Sequence, residues 1–209
     1  MKIKNWTDKI TDESDLWLNA IKMEDGDDFL EASVLYLNDA VESLKRNLLI
    51  RAALSCLGAA ECLIRMGHHA DARKLYLETA VIYEENADRI LGDSVRESLW
   101  SLQEAYENFL LASDYSRAQQ IFDKYIFLAR KLNPFYGEGE AMELLKSKKE
   151  SIEKIQRSWS NSGNTKNSSK LYDAIENLMN LRQSSHQTKT SLEQIHELVK
   201  QNKGESLTP

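Results

Sequence analysis

Apolar residues return along this chain at intervals of three and four, and no segment alternates strictly as a half-buried strand would. The spacing predicts helices over roughly 13–24, 28–46, 48–66, 69–91, 94–112, 115–132 and 138–159. One stretch, ARKLYLETAVIYEENA, departs from the ordinary amphipathic pattern. Read as a helix, it sets Ala72, Tyr76, Ala80, Tyr83 and Ala87 on a single stripe. A core-facing stripe is usually filled with Leu and Ile. Small residues alternating with tyrosines suit a helix whose neighbours come close at the alanines and are spaced by the rings.

The punctuation agrees with long helices. The only prolines are Pro134 and Pro209, and proline is the residue a helix interior excludes. Gly26, Gly67, Gly92, Gly137, Gly139, Gly163 and Gly204 fall where helices are expected to stop, whereas Gly58 sits inside the third helix. Asp93 and Asp114 are the expected caps of the fifth and sixth helices. The clearest loop is NPFYGEGE, residues 133–140, and a further weak helix is expected near Trp6.

Composition shifts after residue 157. SWSNSGNTKNSSK reads as a flexible linker. Beyond it Leu171, Ile175, Leu178, Leu192, Ile195 and Val199 mark a helix over about 170–202, interrupted by the polar run RQSSHQTKT. The expected organisation is a helical domain over 1–157, a linker over 158–169 and a C-terminal helix and tail over 170–209. The last is expected to be mobile or partner-dependent.

The stripe repeats. Ala32-x3-Tyr36-x3-Ala40 matches Ala72-x3-Tyr76-x3-Ala80 and then Ala118-x3-Phe122-x3-Ile126, at separations of 40 and 46 residues. Five residues before each alanine lies a turn position: Asp27, Gly67 and Ser113. An apolar helix precedes each turn, so the unit is helix, short turn, helix. A lone helical hairpin cannot bury its apolar face, and stacked hairpins share a core.

Over residues 13–132 this pattern resembles the tetratricopeptide-repeat superfamily, on the spacing Gly67-x4-Ala72-x3-Tyr76. The stretch LYLETAVIYEENA is similar to the longer-helix variants, of which the SNAP vesicle-fusion adaptors are the known example. The resemblance implies an all-α fold of stacked antiparallel hairpins, a right-handed α-solenoid. It also implies a concave groove lined by the first helix of each pair. Carried over by spacing, the groove positions are Trp17, Ile21 and Glu24; Leu57, Glu61 and Ile64; and Trp100, Gln103, Glu107 and Leu110. Of these, Trp17, Ile21, Leu57, Glu61, Trp100, Gln103 and Glu107 form the expected partner-binding set. Members of the family that clamp chaperone C-termini use Lys and Asn at such positions. Trp, Leu, Gln and Glu here exclude that ligand.

Charge and chemistry narrow the function. The net charge is −6, which lacks the basic footprint of a nucleic-acid binder. Acids crowd residues 8–28, and lysines crowd 146–154; both runs read as solvated helix faces. No apolar run approaches the roughly 18 residues of a membrane span, and the start has no secretory h-region. Cys56 and Cys62 lie on apolar sides of one helix and are expected as buried, inert thiols. His68–His69 falls at a turn and does not present two ligands to one metal. No nucleophile, metal or phosphate motif is present, so no catalytic residue, metal or cofactor is expected.

The expected protein is a cytoplasmic, non-enzymatic adaptor that binds a partner protein or peptide, an amphipathic helix with basic character. The alternative is a self-associating or autoinhibited protein. Its segment 170–202 would dock in its own groove or in that of a dimer mate. A small-ligand receptor or enzyme is the third reading.

Overall fold

A computed structural model describes residues 15–135, 138–159 and 168–184. Among these residues all regular structure is helical. The helices are α1 (Leu16–Asp25), α2 (Phe29–Lys45), α3 (Leu49–Arg65), α4 (His69–Ile90), α5 (Val95–Leu111), α6 (Tyr115–Leu132) and α7 (Glu138–Trp159), followed by α8 (169–184). From α1 to α6 each helix packs on its chain neighbours, and α7 packs on α5. The result is an all-α stack of antiparallel hairpins. The weak helix expected near Trp6 and the core of the expected linker lie outside the described residues.

Four connections use one turn. Asp27 (φ 60°), Asn47 (58°), Gly67 (81°) and Ser113 (65°) each adopt the left-handed conformation. The next residue then donates its N–H five residues back: Asp28 to Met23, Leu48 to Ser43, His68 to Leu63 and Asp114 to Phe109, at 2.8–2.9 Å. This is the Schellman closure, which satisfies helix-end carbonyls and reverses the chain. The turn positions expected at Asp27, Gly67 and Ser113 are therefore the left-handed residues themselves. The sequence pattern passed over Asn47, the same device joining α2 to α3. Gly26 has φ −88°, and Gly139 lies inside α7, so neither is a left-handed stop. Asp114 caps α6 as expected, while Ser94 caps α5 in place of Asp93, its Oγ accepting from Glu97 N at 3.3 Å.

The opening stripe is buried along its whole length. Ala72, Tyr76, Ala80, Tyr83 and Ala87 all lie in the core, as do Ala32, Tyr36 and Ala40 on α2. In the third hairpin Ala118 and Ile126 are buried, and Phe122 packs half-buried against the core. Gly58, the glycine that no helix end explained, lies under the Tyr36 ring. A Cβ added there would come within 3.0 Å of two ring carbons.

A polar network crosses the first two hairpins. The buried Asp39 carboxylate of α2 accepts from Arg51 Nε at 3.0 and 3.2 Å and from Ser55 Oγ at 2.6 Å. Arg51 also reaches Asp15, the N-cap of α1, at 2.8 Å. A buried carboxylate is tolerated because every neighbour here donates to it.

The C-terminal segment differs from expectation. Over 169–184 it is docked on the chain itself. Leu171, Ala174, Ile175 and Leu178 are buried, and Arg182 continues the same face to Glu78 and Glu85 of α4, each at 3.2 Å. Its other flank adjoins Asn38 and Val41 of α2 across a shallow cleft. The apolar spacing of three and four residues is enough to hold one helix face against α2 and α4. Trp159, expected at the start of the linker, is helical and buried.

Two substitutions test this packing by urea denaturation. Gly58→Ala gains about 1 kcal/mol of helix propensity, yet it should lower stability by about 1–3 kcal/mol by forcing the Tyr36 ring away. Ser113→Gly should raise stability by about 0.5–1 kcal/mol by relieving the left-handed serine. A stabilised Gly58→Ala protein would refute the close contact.

Candidate partner-binding site

The expected groove residues occupy the partly exposed sides of α1, α3 and α5. Trp17 meets Tyr36 edge to face, centroids 5.6 Å apart at 80°. The Tyr36 hydroxyl donates to Glu24 Oε2 at 3.0 Å. Ile21, Leu57 and Ile64 are half-buried against the core. Glu61 is exposed and lies close enough to Glu24 and Arg65 to feel both charges. Trp100 is 44% exposed, standing edge-on to Tyr83 at 5.6 Å. Gln103 donates to Glu107 at 3.4 Å. Leu110, grouped with these by spacing, is buried in the core instead, because α5 turns that position inward.

The α5 part of this face is covered by the chain's own α7. Lys148 Nζ donates to Glu107 Oε1 and lies beside Glu104. Gln156 Nε2 donates to the carbonyls of Leu110 and Leu111 at 2.8 and 3.0 Å in the last turn of α5, where Leu110 also accepts from Ser113 N at 2.9 Å. Trp159 lies parallel to the rings of His69 and Tyr76, with centroids 5.9 and 6.0 Å apart and planes at 4°. Burial raises the Glu104 carboxyl, with Lys148 opposing, and lowers the Lys148 ammonium, with Glu104 opposing. The lysine run read as a solvated face thus sends Lys148 onto α5. The available signal was the apolar pair Ile152 and Trp159, two turns apart and both buried.

Among the described residues the opposite end of the face is open. A groove of about 700 Å³ runs between the first turns of α1 and α3 and the end of α4. Its apolar surface comes from Trp17, Leu18, Leu48, Ile50 and Leu54, with Asp15, Arg51 and Arg89 at its edges. Leu48 is 48% exposed and Leu54 is 37% exposed. Leu48 is also the N-cap of α3 and makes no side-chain cap bond, whereas Asp15, Asp28, Ser94 and Asp114 all do. An apolar N-cap costs about 1 kcal/mol against Ser or Asp. Of the groove's apolar residues, sequence spacing selected Trp17 alone. The missed signal was LLIRAAL, residues 48–54, whose apolar residues surround α3 rather than forming one stripe.

Other chemistry is sparse. Both cysteines are buried and free, and burial pushes each thiol up to about 12. His68 Nδ1 lies 3.8 Å from Asp71. Among the described residues no group of three or more His, Cys, Asp or Glu is placed to hold a metal, and no helix is long and apolar enough to cross a membrane. Comparison with protein-family models, curated proteins and solved structures finds no match to this chain. The fold defines the class, an all-α stack of helical hairpins; function has to be argued from the exposed faces.

Although Glu61 reaches solvent, its surroundings partly desolvate the carboxyl and raise it above its ordinary value of 4.5; repulsion from Glu24 adds to this, and Arg65 opposes it. The folded state therefore holds that proton longer than the unfolded chain. This contribution favours folding below the ordinary value and is lost as pH rises through the folded one. Glu61→Gln should accordingly lose less stability than wild type as pH rises above 4.5. Equal urea-midpoint losses would refute the assignment. Trp159→Ala should raise amide exchange across α7 while α2–α5 stay protected. Unchanged exchange in α7 would show that the stack does not hold it.

Proposed function

We propose that this chain is a non-enzymatic scaffold of the tetratricopeptide-like kind, working in the cytoplasm. It binds a helical segment of another protein on the face of α1, α3 and α5. The observation that carries this reading is the open apolar groove beside Trp17, with Leu48 and Leu54 exposed on it. A solvent-facing apolar groove of this kind is the usual form of a helix-docking surface. The reading draws further support from α7, an amphipathic helix already lying on the α5 part of the same face through Lys148 and Gln156. Trp100, exposed on α5, is a second anchor of the kind that dominates interfaces.

One observation favours a second reading, a protein that folds its C-terminal helix back on itself. Helix α8 buries Leu171 and Leu178 and places Arg182 between Glu78 and Glu85. Its ion pairs are with α4, and the cleft at its flank is lined by Asn38 and Val41 of α2 and by Leu16 of α1, none of which lines the open groove, so α8 and a partner there do not compete.

Affinity capture with the full chain tests the first reading. Leu54→Glu should remove specific partners that wild type retains, and identical partner sets would reject the groove. Light scattering tests the second: a monomer is expected for α8 docked in its own chain, and a stable dimer would favour exchange between copies.

A further inference from the structure

We infer that the open groove takes an acidic amphipathic helix, with apolar side chains against Leu48 and Leu54 and a carboxylate on Arg89. This rests on the partner-binding reading and reverses the charge of partner expected from the sequence.

The argument begins with Arg89. Its guanidinium is fixed at the groove edge by the Asn47 carbonyl at 3.1 Å, Asn47 Oδ1 at 3.0 Å and Asn86 Oδ1 at 3.0 Å. All three acceptors are neutral. Among the described residues no carboxylate pairs with Arg89, which is exposed. Arg51 at the same groove is different, because its charge is offset by Asp39 and Asp15. At the groove edge Arg89 is thus a positioned positive charge with no carboxylate partner among the described residues. A guanidinium held in one orientation favours a carboxylate, because its ordering is already done before the partner arrives.

The apolar part points the same way. Leu48 occupies a cap position where a polar residue would stabilise α3, and it faces solvent instead of the core. Retaining an exposed leucine against the local rule fits a surface that is covered in use. Part of the acidic first-helix face is engaged, Glu107 by Lys148 and Glu24 by Arg65 at 3.9 Å, and the exposed Glu61 does not line the open groove. A basic helix laid in the open groove would meet Arg89. The groove walls are helix surfaces and offer no strand edge, so recognition falls to side chains spaced three and four apart on a partner helix.

Selection from a phage-displayed library of random 16-residue peptides tests this on the full-length protein. Wild type should enrich peptides with apolar residues at helical spacing and an excess of Asp and Glu. A synthetic peptide made from the enriched pool should bind about fivefold more weakly to Arg89→Gln and at least about tenfold more weakly to Leu54→Glu, with both variants folded by circular dichroism. Selection on Arg89→Glu should turn toward Lys and Arg. Basic or neutral peptides lost on Leu54→Glu would overturn the acidic partner and leave the scaffold reading standing. Peptides indifferent to Leu54→Glu, or no enrichment at all, would overturn both. Enrichment only after deletion of residues 1–14, or a dimer that Leu54→Glu dissolves, would assign the groove to the chain itself or to a second copy and overturn the separate partner.

Discussion

The close approach of neighbouring helices at small residues is the constraint on which the rest of this structure depends. Tyr36 can lie flat on α3 only because Gly58 has no side chain. Ala32, Ala40, Ala72 and Ala80 extend the same condition through the first two hairpins. Where the residues are small the backbones come together, and the tyrosines fill what remains. Packing of this kind tolerates little added volume. It also sets which sides of the helices face outward, and hence where a partner can bind.

The outward faces follow from that packing. The second helices, α2 and α4, are used on several sides: they pack on the first helices and also carry α8. The first helices keep one side free of the core. Part of that side on α5 is closed by α7 through Lys148 and Gln156, while Trp159 of α7 stacks on His69 and Tyr76 of α4. The part between α1 and α3 is left open among the described residues, and there the apolar surface and Arg89 meet. The candidate site is therefore the part of the first-helix side that none of the described helices covers.

Much of the fold was legible because its determinants are local. Helix spans, the repeated Ala-x3-aromatic stripe and three of the four left-handed turns all follow from residues a few positions apart. Asn47 escaped notice because asparagine enters the left-handed region without announcing itself as glycine does. Ser94 rather than Asp93 caps α5, because two capping residues stand side by side and backbone geometry chooses between them. The site was less legible. Spacing placed Trp17, Ile21, Leu57, Glu61, Trp100, Gln103 and Glu107 on the first helices. It could not say that Lys148 would occupy Glu107, or that Leu110 would turn inward.

The sequence by itself determined the helices, their turns and the small-large packing stripe, since each depends on conformational preferences and periodicities within a few residues. Only the tertiary structure decided that α7 covers α5, that α8 lies on α2 and α4, and that Leu48, Leu54 and Arg89 share one open groove. These are contacts between residues far apart in the chain, up to 104 positions for Arg182 and Glu78. No local preference encodes them, and they arise when whole faces compete for the same buried surface.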